Sequence, residues 1–150
     1  GPNMPVALAK RTYTLTRSAA TVGETDSVAL TGLGQTGNIV KFSIRLDATS
    51  DRASAGILYI ADDPITSTAA VPSKDLVYQS GTITSLVGSA TAVASANASG
   101  GLATAELPKG EPYVLNDVNT PLNAKFKITA RTGSASASVL YLTIWAEVRS

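Results

Sequence analysis

Two stretches of the chain alternate apolar and polar residues with a period of two. Val40-Lys41-Phe42-Ser43-Ile44-Arg45-Leu46-Asp47 is one, and Leu122-Asn123-Ala124-Lys125-Phe126-Lys127-Ile128-Thr129-Ala130-Arg131 is the other. Such alternation marks a half-buried strand, so Phe126 and Ile128 are expected inward and Lys125, Lys127 and Arg131 outward. A third stretch, Val139-Leu140-Tyr141-Leu142-Thr143-Ile144-Trp145-Ala146-Glu147-Val148, is too β-branched and aromatic for a helix. It follows the turn-like Thr132-Gly133-Ser134-Ala135-Ser136 and is expected to fold back on the preceding strand as a hairpin. Both of its faces are apolar, with Val139, Tyr141, Thr143 and Trp145 on one and Leu140, Leu142, Ile144, Ala146 and Val148 on the other. An antiparallel sheet usually leaves one face wet, so this strand calls for cover by a second sheet, a crossing arm or another subunit.

Shorter strands fit Arg11–Thr16, Ser27–Thr31, Gly56–Ile60 and Leu76–Gln79, each followed by Gly, Pro, Asp or Ser breakers. With no sustained helical period, the pattern predicts an all-β chain: a single β-sandwich or barrel-like domain of about eight short strands with an extended N-terminal arm. Residues 80–101 are low in complexity and are read as a strand followed by a mobile loop. Pro108, Pro112 and Pro121 then bracket an irregular segment in which Tyr113-Val114-Leu115 is the one short strand expected. At the other end, Gly1-Pro2-Asn3 before Met4 has the look of a cleaved-tag remnant. Residues 4–18 string Val6, Leu8, Tyr13 and Leu15 on an extended Thr-rich stretch. That suits an arm added to a neighbour's sheet or an ordinary first strand, with residues 19–150 as the β-domain.

Composition narrows the chemistry. Ala, Thr, Ser and Gly fill 69 of the 150 positions, which favours thin β-layers over thick helical packing. Charged residues make up 15% and the formal net charge is +1, so nothing draws the chain toward nucleic acid or a membrane. With no Cys and no His, thiol nucleophiles, thiolate metal sites and the commonest general base are excluded. No G-x-S-x-G elbow accompanies the serines, so no catalysis and no cofactor are expected. The literal G-x-G-x-x-G of Gly32-Leu33-Gly34-Gln35-Thr36-Gly37 leads into a strand rather than the helix that a dinucleotide site needs. It is read as a hairpin turn with glycines at positive φ. Asp62-Asp63-Pro64 is read as a strand-end turn, and Asp47 with Asp51 offers too few ligands for a cation. Asn97-Ala98-Ser99 is read as a chance sequon. Lys41, Arg45, Lys125, Lys127 and Arg131 are expected on one outward sheet face that discourages edge-to-edge aggregation. The apolar run before Lys10 and Arg11 is too short for a signal-peptide core, and synthesis in the cytoplasm is expected.

In size, composition and layout, from the extended segment up to Ser18 to the hydrophobic final strand ending Thr143-Ile144-Trp145-Ala146-Glu147-Val148, the chain resembles the capsid decoration (cementing) proteins of tailed bacteriophages. The resemblance implies a trimer on the surface of the expanded head that clamps neighbouring major capsid subunits. It also implies neither cofactor nor catalysis. Val6, Leu8, Tyr13 and Leu15 are then candidates for capsid or arm docking, and Tyr141, Thr143 and Trp145 for the subunit interface. If the Trp145 ring is buried there, Trp145→Ala should cost roughly 3–5 kcal/mol. A carbohydrate- or cell-surface-binding β-sandwich is the alternative from another class, and a small inhibitor acting through a β-edge is a third. Sugar sites usually present exposed aromatics with convergent polar groups, whereas most aromatics here sit in strand patterns that point inward.

Overall fold

The computed structural model describes residues 6–17, 23–34, 36–46, 53–83, 102–106, 113–114, 121–131 and 138–149. In chain order they form β1 (Val6–Arg17), β2 (Val28–Ala29), β3 (Thr36–Leu46), β4 (Ala53–Ala61), a 3-10 turn (Thr68–Ala70), β5 (Leu76–Gln79), β6 (Leu102–Glu106), β7 (Tyr113–Val114), β8 (Asn123–Arg131) and β9 (Ser138–Arg149). Every strand pairing is antiparallel. One sheet runs β1-β9-β3-β6, with β7 also pairing β3, and the other runs β2-β8-β4-β5. The chain is all-β and sandwich-like, with two open sheets.

Period-two alternation decides what lies between the sheets. β1 sends in Tyr13 and Leu15, β9 sends in Leu140, Leu142, Ile144 and Ala146, and these meet Leu58 and Ile60 of β4 and Ala124, Phe126 and Ile128 of β8. Burying each large side chain stabilises the fold by about 1.5–3 kcal/mol. On β3 both Ile39 and Phe42 face inward although their numbers differ in parity. A shift in register against β9 between Ile39 and Lys41 accounts for this, since one extra residue in a bulge turns the following side chains to the opposite face. Across the gap, the Phe42 and Tyr78 rings pack at 6.1 Å between centroids with a 57° tilt, within the range favoured by aromatic pairs.

Several expectations are corrected by the topology. β8 and β9 do not pair as a hairpin: β8 lies between β2 and β4, and β9 between β1 and β3. Each has neighbours on both sides, which leaves no edge for the other. Residues 6–17 form the first strand of the same domain, paired with β9 from Val6↔Arg149 to Arg17↔Ser138. The glycines at 32 and 34 do take positive φ, 84° and 113°, but the connection joins β2 to β3 across the two sheets instead of closing a hairpin. β6 was not anticipated. Residues 1–5, Ser18, Asp47, Asp51, 84–101, Pro108, Pro112 and Leu115 lie outside the described residues.

Gly56 of β4 leaves no room for a side chain. A Cβ built there would stand 2.3 Å from two Phe126 ring carbons and 2.5 Å from the Lys127 carbonyl oxygen, whereas one at Gly81 would meet nothing within 4 Å. Gly56→Ala is therefore expected to lower stability by about 1–3 kcal/mol through overpacking. Gly81→Ala should stay within about 0.5 kcal/mol of the parent. Urea unfolding of the two variants checks both outcomes.

Candidate interaction surface

β9 is the centre of the first sheet, and its outward side chains form a ridge. Trp145 stands directly between Lys10 of β1 and Lys41 of β3, Thr143 between Thr12 and Ser43, and Tyr141 between Thr14 and Arg45. The Lys10 and Lys41 ammonium nitrogens lie 5.3 and 4.4 Å from the centroid of the Trp145 ring. The Arg45 guanidinium carbon lies 4.7 Å from that of Tyr141. At partly exposed sites such cation–π contacts contribute about 0.5–1 kcal/mol each. The Thr12 and Thr143 hydroxyls hydrogen-bond at 2.9 Å. Cover for the outer face of β9 thus comes from cationic side chains of the adjacent strands, and Trp145, Tyr141 and Thr143 remain half-buried.

The second sheet solves the same problem differently. β4 reads Ile57-Leu58-Tyr59-Ile60-Ala61 and is apolar on both faces. Its outer residues Tyr59 and Ala61 pack with Ile65, Ile57, Val71 and Leu76 in a second, smaller core under residues 62–75. That segment is tied down by two polar groups of residues 23–27. The Ser27 hydroxyl accepts from the Ile65 amide at 2.9 Å, and the Glu24 carboxylate accepts from both the amide and the hydroxyl of Thr68. Burial disfavours the Glu24 anion, but the two Thr68 hydrogen bonds and the nearby Lys125 and Lys127 outweigh it and hold the carboxyl below its ordinary range. A groove of about 270 Å³ remains within this segment, lined in part by Asp63, Thr66, Ala70 and Asp75. Among the described residues, no group of three or more Asp or Glu could hold a metal ion, and no helix is long and apolar enough to cross a membrane.

The structure separates the residues singled out from sequence. Of the four docking candidates, Tyr13 and Leu15 are buried in the core, where alternation along β1 sends them with Arg17, so they are not available to a partner. Leu8 is 65% exposed, and Val6 opens β1 opposite Arg149. Lys41 and Arg45 do not share a face with Lys125 and Lys127: the first pair is on β3 and the second on β8, in different sheets. Lys125 is in fact only 7% exposed, opposite Tyr59. Tyr141, Thr143 and Trp145 do share one face. Lys41 and Arg45 are expected outward from sequence, but not beside Trp145 and Tyr141, because period two shows which residues of a strand face together, not which strand lies alongside. Comparison with known protein families, with curated proteins and with solved structures returned no match.

Two outcomes follow from these environments. Because its ring is half-buried, Trp145→Ala should cost less than a core truncation such as Phe126→Ala, for which about 3–5 kcal/mol is expected; paired denaturant titrations compare them. The depressed Glu24 carboxyl contributes stability above the ordinary carboxylate range, and this contribution is lost as the pH falls through its folded-state value. Between neutral and acid pH the parent should therefore lose more stability than Glu24→Gln, measured by chemical denaturation across that range.

Proposed function

We propose that this chain is a structural virion protein that binds the outside of a tailed-phage head and stabilises contacts between major capsid subunits. The observation that supports the reading is the outer face of the first sheet. On a chain with few charges, Lys10, Lys41 and Arg45 gather around Trp145 and Tyr141 on a strand paired on both sides. Aromatic and Arg side chains are enriched at the centres of protein interfaces, and the cations suit an acidic protein surface. In this reading Tyr141, Thr143 and Trp145 serve the contact with the major capsid protein. The homotrimer and the location on the virion surface rest on the resemblance alone. A sugar-binding module fits less well, because stacking needs an open aromatic face and Trp145 has an ammonium group over it from each neighbouring strand.

The test uses expanded heads of the phage that encodes the chain, prepared without it. The protein should co-sediment with them saturably, and Lys41→Glu should weaken binding by about tenfold or more while leaving the melting curve cooperative. A protein that stays in the supernatant, or a gene found away from phage head genes, overturns the proposal.

A further inference from the structure

Among the described residues, the first strand has an open edge. β1 pairs β9 over its full length and ends the order of its sheet. At Thr16 the backbone carbonyl turns away from β9 and accepts from the Asp26 amide at 2.9 Å. No register shift interrupts the β1–β9 ladder, so alternation turns the N–H and C=O groups of Leu8, Lys10, Thr12 and Thr14 to that same side. The Lys10 carbonyl agrees with this, since the guanidinium of the adjacent Arg11 donates to it at 3.0 Å, an exposed side-chain bond that an added strand would displace, unlike the backbone bond at Thr16. Among the described residues, no strand pairs with these groups. Leu8, the one strongly exposed large hydrophobic side chain among them, lies on this same stretch.

Charge selects the occupant. β1 carries Lys10, Arg11 and the buried Arg17 and no acidic residue. If a second copy added its own β1 antiparallel, the register spanning Leu8 to Thr14 would set Arg11 against Arg11. A slip of one pair in one direction sets Lys10 against Lys10, and a slip in the other pushes Leu8 opposite Thr16, whose carbonyl is already taken. Like charges directly opposite one another destabilise a strand pair, so the edge is poorly matched to itself.

We propose that the open edge of β1 accepts an extended acidic segment of a partner protein as an added strand, with carboxylates facing Lys10 and Arg11 and an apolar side chain beside Leu8. Main-chain hydrogen bonds would supply the register and the two cations the selectivity. The inference goes beyond the head-binding reading, since it concerns the backbone edge of the sheet; the two share Lys10, which also stands over Trp145 on the outer face.

The probe is a labelled peptide of about nine residues, the length of an ordinary strand, alternating Thr and Val with two central Glu. Its twin carries Lys in those two places. Fluorescence polarisation should show saturable binding of the Glu peptide, with the Lys peptide weaker by about tenfold. Amide hydrogen exchange at Leu8, Lys10, Thr12 and Thr14 should slow when the Glu peptide is bound. Thr14→Pro removes an outward N–H that pairs with no strand among the described residues, as an edge strand tolerates, and should weaken binding by about tenfold with little change in melting temperature. The double variant Lys10→Glu/Arg11→Glu tests the edge without a proline and should reverse the preference toward the Lys peptide. Equal affinity for the two peptides, no saturable binding, or unchanged exchange along residues 8–14 would overturn the proposal. So would a concentration-dependent dimer lost in Thr14→Pro, which would give the edge to a second copy. Because Thr14→Pro leaves Lys41 in place, failure here and failure of head binding are told apart.

Discussion

Scarcity of large side chains governs this fold. Nearly half the positions are Ala, Thr, Ser or Gly, so the few bulky residues must converge on one layer for the sheets to pack at all. The two phenylalanines do so from opposite sides, Phe42 from β3 and Phe126 from β8, and both are fully buried. Gly56 belongs to the same arrangement, because the Phe126 ring occupies the space that a side chain at position 56 would need. A small residue is here the complement of a large one, as close packing without voids requires.

Once that layer is filled, little apolar material is left for the outer faces, and each sheet is finished with what remains. Over β4 the chain lays its own segment 62–75, tied through Ser27 and Glu24. Over β9 it relies on the stems and charged ends of Lys10, Lys41 and Arg45, which cover aromatic surface while keeping contact with water. The two solutions have different uses. A face closed by its own backbone is spent on stability, whereas a face screened by cationic side chains stays accessible to another protein. This contrast is why the first sheet, and not the second, supports the interaction reading.

The strands themselves were legible. Alternation located most of β3, β8 and β9, and Leu76–Gln79 matches β5. Sheet membership was not legible, because alternation records which residues of one strand face together and carries no information about the strand beside it. Hence a hairpin was expected between β8 and β9, and Lys125 was expected in water although it is buried opposite Tyr59. The same limit applies to the site. Tyr13 and Leu15 belong to an amphipathic strand, and the sequence does not say whether its apolar side meets this domain or a neighbour. The ridge at Tyr141, Thr143 and Trp145 was visible as a shared face, while the cations framing it come from residues about a hundred or more positions away.

The central place of β9 also sets an order of events. β1 and β3 do not pair with each other; each pairs with β9, which follows every other strand in the chain. During synthesis the second sheet can close once β8 has emerged, and β3 can pair β6 and β7, but β1 has no strand to join in the first sheet until β9 arrives. Loop closure over such separations is entropically costly and slow, so the growing chain carries exposed β1 and β3 surface until the last strand arrives. The polar outer positions of those two strands, Lys10, Thr12 and Thr14 on β1 and Lys41, Ser43 and Arg45 on β3, are then as much a safeguard for the unfinished chain as a feature of the finished one.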